Sequence, residues 1–210
     1  MKKLINIIAI IFLVQGFAHA QKRKIEYGFR IGGGLAIQSI DNNNILSNNS
    51  IRTFNANIVV SFPILKYYYL RTSLGIANKG TVITEDALTT TNKIMYYELP
   101  VNIMRKYSIP TLGKIIAGVG GYFAMGDRGT LTYETPNSNT SNYVSFGNDN
   151  DFLKYDAGIN LITGLELNNH LTFNLGYDLG LVNIASQPLK DSGYKSIYNR
   201  QFSITLGLSF

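Results

Sequence analysis

The chain has 210 residues, 19 basic and 13 acidic, for a formal charge of +6, with two histidines and no cysteine. The absence of cysteine excludes a disulfide framework and thiolate metal centres. The basic residues are scattered rather than clustered, so there is no nucleic-acid footprint, and the composition suggests no cofactor.

The first segment reads as an export signal. Lys2 and Lys3 form a positive start, Leu4 to Val14 is apolar apart from Asn6, and Ala18-His19-Ala20 fits a small-x-small cleavage pattern. The apolar run is shorter than the ~20 residues a spanning helix needs. Cleavage is expected after Ala20, so residues 1–20 are a Sec-type signal peptide and residues 21–210 one β-barrel domain. Losing Lys2 and Lys3 leaves 17 basic residues against 13 acidic ones, a charge of +4. Mean hydropathy is near zero, and no later segment could cross a membrane as a helix. Any crossing must be made by strands, which hide their hydrophobicity by alternation.

Eight such strands are predicted. Ile25 to Ile37 alternates Ile25, Tyr27, Phe29, Ile31, Gly33, Leu35 and Ile37 with Glu26, Gly28, Arg30, Gly32, Gly34 and Ala36. Arg52 to Phe62 sets Phe54, Ala56, Ile58, Val60 and Phe62 against Thr53, Asn55, Asn57 and Ser61. Tyr68 to Lys79 sets Tyr68, Leu70, Leu74 and Ile76 against Arg71, Ser73, Gly75 and Lys79. Lys93 to Met104 sets Met95, Tyr97, Leu99, Val101 and Ile103 against Tyr96, Glu98, Pro100 and Asn102. Pro100 implies a bulge or a locally broken pairing there. Lys114 to Gly126 is rich in glycine, with Ala117, Val119, Phe123 and Met125 outward.

Leu153 to Leu167, Leu171 to Asn183 and Ile197 to Phe210 complete the set. The last places Phe202, Ile204, Leu206, Leu208 and Phe210 on one face, with small or polar residues on the other. A strand closing on Phe210 resembles the assembly signal of bacterial outer-membrane barrels. It implies insertion by the barrel-assembly machinery into outer-membrane lipid, as a monomeric barrel.

Connections alternate. Pro63 to Tyr67, Arg105 to Gly113 and Asn168 to His170 are short; Gln38 to Ile51, Gly80 to Asn92, Asp127 to Phe152 and Ala185 to Ser196 are longer and polar. Short periplasmic turns, long outer loops and an even strand count define an all-β, eight-stranded antiparallel up-and-down transmembrane barrel in the outer membrane of a Gram-negative cell. Outward aromatics fall into two belts, Tyr27, Phe62, Tyr68, Phe173 and Phe210 inside, Phe54, Tyr97, Phe123, Tyr155 and Tyr198 outside. Arg52, Arg105 and Arg200 share the outward parity at strand ends, where they reach headgroups. A soluble lipocalin-like barrel or β-sandwich would turn the apolar faces inward instead.

The run Tyr96-Tyr97-Glu98-Leu99-Pro100-Val101 resembles the PorT-like, or porin-family, small outer-membrane barrels of Bacteroidetes. Leu74-Gly75-Ile76, Gly118-Val119-Gly120-Gly121-Tyr122 and Leu175-Gly176-Tyr177 fit the same family. The resemblance spans the whole mature chain. It implies an outer-membrane barrel without enzymatic activity, structural or partner-binding, and a link to secretion-system proteins through the family's best-known member.

Candidate site residues are few. Glu26, Arg30, Arg71, Glu98, Lys154, Asp156, Glu166 and Asp178 share inward parity, with an Arg71–Glu98 pair between neighbouring strands. They read either as a charged constriction selecting small solutes or ions, or as mutually satisfied pairs filling a closed interior. The second reading is favoured. His170, in a periplasmic turn, reads as solvated, and alone it cannot build a hydrolase site. In the longest loop Tyr133, Tyr143 and Phe146 are candidate contacts for an extracellular partner.

Overall fold

A computed structural model describes residues 24–210; the signal peptide expected at residues 1–20 lies outside them. Among the described residues the strands are β1 (Glu26–Asp41), β2 (Ser47–Asn49), β3 (Ile51–Pro63), β4 (Tyr68–Glu85), β5 (Leu88–Ile109), β6 (Gly113–Thr135), β7 (Ser138–Tyr143), β8 (Tyr155–Leu167), β9 (Leu171–Gly180) and β10 (Ser196–Ser209), with a short helix, α1 (Gln187–Asp191). Eight of the strands close a ring in the order β1-β3-β4-β5-β6-β8-β9-β10, and β10 returns to pair with β1. All pairings between these strands are antiparallel. The short strands β2 and β7 sit outside the ring, on β4 and β6. The eight-stranded barrel predicted from alternation is the fold observed.

The barrel is inverted relative to a soluble protein. Tyr27, Phe29, Ile31, Ile58, Leu74, Ile103, Val119, Phe123, Leu161, Ile204 and Leu206 are exposed on its outside, while Arg71, Lys79, Glu98, Lys106, Asp156 and Asp178 are buried inside. A continuous apolar belt of this extent in water would be an aggregation surface; against lipid it is the solvated face. This arrangement excludes the lipocalin-like alternative. No helix among the described residues is long and apolar enough to cross a membrane; the crossing is made by strands.

Three strands are much longer than a bilayer needs. β5 has 22 residues, about 70 Å at ~3.3 Å per residue, where a crossing takes ~9–11. The connection expected as a loop from Gly80 to Asn92 is instead continuous ladder, with Glu85 paired to Leu88 across a two-residue turn. The expected loop from Asp127 to Phe152 likewise begins as a hairpin of β6 and β7. Periplasmic turns are tighter than read, residues 110–112 replacing Arg105 to Gly113. β8 starts at Tyr155 rather than Leu153, and β9 stops at Gly180 rather than Asn183.

Two irregularities matter. The ladder between β4 and β5 omits Ser73 and Leu74, opposite Pro100 and Leu99. Pro100 has no N–H to give, and the Thr72 hydroxyl donates to its carbonyl instead (3.1 Å). Between β5 and β6 the register shifts once, Met95 facing Arg128 and Tyr96 facing Gly126. Asp127 is thus an extra residue on β6, and beyond it the inward parity changes from even to odd.

Candidate functional site

The interior is stacked in three polar layers below an apolar cap. At the periplasmic end, Lys106 Nζ bonds Glu26 and lies 2.6 Å from Glu166 Oε2, while Lys114 Nζ lies 3.0 Å from Glu166 Oε1. The Lys106 ammonium also sits 4.6 Å from the Tyr69 ring centroid. Above this layer, Arg71 Nε donates to Ser61 Oγ (2.9 Å) and Arg30 to Ser73 Oγ (3.5 Å).

Lys79 organises the centre. Its Nζ is 2.7 Å from Glu98 Oε2, 3.5 Å from Asp156 Oδ2 and 3.8 Å from the Tyr122 ring centroid. The Tyr122 hydroxyl donates to Asp156 Oδ2 (3.0 Å), and Asn102 donates to Asn160, which donates to Asp178. Buried charge is tolerable only when paired and hydrogen-bonded, and here cation, carboxylates and amides meet from β4, β5, β6, β8 and β9. A cavity of about 40 Å³ lined by Arg30, Asn55, Glu98, Asn160, Asn174 and Asp178 lies within this zone. It has room for only a few waters.

The outer mouth is sealed by Ile94, Tyr96, Tyr122, Ala124, Leu131, Val144, Phe152, Ile184, Ala185 and Ile197. The loops that deliver this cap are tied down by backbone bonds: Leu153 N–H to Ile184 O (2.9 Å), Ile184 N–H to Ile197 O (3.0 Å) and Gln187 N–H to Asn148 O (2.8 Å). Leu131 faces inward because of the Asp127 bulge. Outside the cap a cleft of about 400 Å³ opens to the cell exterior, bounded by Glu85, Tyr133, Asp149, Asp151, Leu189 and Tyr194. The Tyr194 hydroxyl donates to Glu85 Oε1 (2.7 Å). Burial, then this carboxylate, push the Tyr194 phenol above its ordinary range.

Inverted barrel, charged lumen and exterior loops all describe a protein made for the outer membrane, and a family model for the outer membrane protein beta-barrel domain matches residues 17–186. The chain belongs to that family. It is an outer-membrane protein. Among solved structures it is similar to Ail, the attachment invasion locus protein of Yersinia pestis, at 13% identity over 90% of this chain and 100% of that one, TM-score 0.42. It is similar to Neisserial surface protein A at 11% identity over 90% and 100%, TM-score 0.47. It is also similar to the outer membrane protein OprG from Pseudomonas aeruginosa at 11% identity over 87% and 95%, TM-score 0.47. No curated protein matches it in sequence.

Within this family barrel, the predicted lumen residues separate. Glu98, Asp156 and Asp178 meet in the central layer; Glu26 and Glu166 share the periplasmic one. The expected Arg71–Glu98 pair does not form. Register sets Arg71 opposite Asn102 and Glu98 opposite Gly75, four residues or about 13 Å further along the strand. Lys79 takes the carboxylate instead. Lys154 is not in the lumen: it precedes β8 and is exposed. Three cations that do the pairing, Lys79, Lys106 and Lys114, were not among the predicted lumen charges. Lys79 had the right parity, but Lys106 fell beyond the strand end as read.

The predicted loop contacts divide as well. Tyr143 is 89% exposed, whereas Phe146 and Tyr133 are half-buried against the cap, Tyr133 also bounding the outer cleft. His170 is not simply solvated. Its Nδ1 lies 2.8 Å from Ser209 O, and its ring stacks on Phe210 at 5.5 Å. Tyr27 also holds Phe210, with backbone bonds in both directions and rings 6.3 Å apart. Phe202, Ile204 and Leu206 are exposed on the lipid side of β10, Phe210 is exposed at its end, and Leu208 is half-buried.

Proposed function

We propose that this barrel is a closed, non-enzymatic outer-membrane protein that works by binding at its outer surface. The observation that carries the reading is the apolar cap seated over a lumen already filled by Lys79, Glu98, Asp156 and Asp178. An eight-stranded barrel has an interior just wide enough for side chains, and here those side chains are mutually engaged. The alternative, a narrow channel for small solutes or ions, needs a continuous polar path, and the apolar cap residues Ile94, Phe152, Ile184 and Ile197 speak against one. His170 sits at the opposite end from the outer cleft, bonded to backbone, which supports a role in holding β10 rather than in hydrolysis.

Resemblance to PorT-like barrels adds a link to protein secretion. Quantitative proteomics of medium, outer membrane and periplasm in a deletion strain tests it. Secreted cargo trapped in the periplasm is the expected result. Unchanged cargo distribution would remove the secretion role and leave the binding role.

A further inference from the structure

The outer cleft has a floor whose hydrogen-bond polarity is fixed from below. Asp156 Oδ2, 3.5 Å from Lys79 Nζ and taking the Tyr122 hydroxyl, also accepts from Asn199 Nδ2 (3.0 Å). Asn199 Oδ1 is therefore turned to accept from Gln38 Nε2 (3.0 Å), and Gln38 Oε1 accepts from Asn92 Nδ2 (2.9 Å). Each amide is oriented by the one beneath it. The relay ends on Asn92 Oδ1, buried and without a partner among the described residues, in a residue that lines the cleft. The floor thus offers a desolvated acceptor, and a buried acceptor left open costs free energy until a donor arrives.

The walls have the same polarity. Glu85, Asp149 and Asp151 line the cleft, and among the described residues no lysine or arginine does, on a chain that is net basic. Glu85 gives one oxygen to Tyr194, and Asp151 Oδ2 accepts from Ser145 Oγ and N–H (both 2.7 Å); among the described residues nothing bonds the Asp149 carboxylate. Tyr133 and Tyr194 add aromatic faces of the kind that attract cations.

We propose that this cleft binds a compact organic cation, an ammonium or guanidinium group, whose N–H donors reach Asn92 Oδ1 while the carboxylates balance its charge. A cleft of about 400 Å³ holds roughly one amino acid or a dipeptide. The ligand class is therefore the basic side chain of a peptide, or a free basic amino acid. This deepens the binding role above and rests on it.

The test is calorimetric titration of the refolded full-length barrel with L-argininamide, with its neutral ureido isostere citrullinamide and with glucose as controls. Argininamide is expected to bind saturably, and citrullinamide about tenfold more weakly or worse, since hydrogen bonds to charged groups are the stronger ones. High salt weakens argininamide binding. Asp149→Asn, at an exposed carboxylate that holds no cap residue, weakens it by a similar factor, and Asn92→Leu abolishes it. Equal binding of citrullinamide, preference for glucose, or no argininamide heat at millimolar concentration would overturn the proposal. A barrel that conducts yet binds argininamide loses the closed-barrel reading alone; a closed barrel that ignores it loses only the ligand class.

Discussion

Lys79 Nζ lies between Glu98 Oε2 at 2.7 Å and Asp156 Oδ2 at 3.5 Å, so one ammonium ties β4 to β5 and to β8 on the far side of the lumen. Its side chain is fully buried, and the two carboxylates nearly so. The pair is the centre of a closed interior.

Lys79→Met strands two buried carboxylates, and truncating one member of a buried pair costs about 3–5 kcal/mol. Urea unfolding in lipid vesicles should show that loss. Adding Glu98→Gln recovers part of it, with a coupling of about 0.5–3 kcal/mol. Strict additivity of the two changes would mean the pair is not a unit.

His170 has φ +72° while bonding Ser209 O and stacking on Phe210. His170→Gly and His170→Ala lose the same contacts, about 1 kcal/mol. Native His170 and the Ala variant both carry the left-handed backbone penalty, roughly 1 kcal/mol, and Gly relieves it, so Gly lies between them. Refolding yield and urea midpoint should fall in the order His170, Gly, Ala.

Gly34 and Gly121 separate close approach from mere openness. A Cβ at Gly34 would strike Phe202 O on β10, whereas one at Gly121 would meet Gly158 O at 3.4 Å. Gly34→Ala is expected to block or severely slow barrel closure. Gly121→Ala should fold with a stability change within about 0.5 kcal/mol, read by electrophoretic heat modifiability.

Tyr194 carries a pH signature. Its phenol is raised above the ordinary value, by burial first and then by Glu85, so the neutral form is favoured in the fold. That contribution is complete below the unfolded pKa of about 10 and is lost as pH rises toward the raised folded value. Tyr194→Phe should lower stability near neutral pH by about 1 kcal/mol. It should also remove part of the alkaline decline above pH ~10, measured as the difference between the two urea profiles.

The barrel itself was legible because period-two alternation survives in every crossing strand: Phe202 to Phe210 alone defines a lipid face. What alternation does not carry is register. Arg71 and Glu98 have equal parity on adjacent strands, but only the β4–β5 pairing shows that Lys79, not Arg71, reaches Glu98. Nor does it carry bulges. The single extra residue at Asp127 turns Leu131 and Tyr133 inward, making cap and cleft wall from what reads as loop. Lys106 lies past the strand end read at Met104, since β5 runs on to Ile109, while Lys114 opens a glycine-rich strand whose facing the sequence leaves ambiguous. The Asn199-Gln38-Asn92 relay joins residues up to 161 apart, and no local pattern signals it.

Single-channel recording of the refolded protein in a planar bilayer tests the closed lumen most directly. The account predicts no resolved current steps for the native sequence, because the Phe152–Ile184–Ile197 cap covers an occupied interior. Regular ohmic steps of uniform size, carried by small ions through the unaltered barrel, would contradict it.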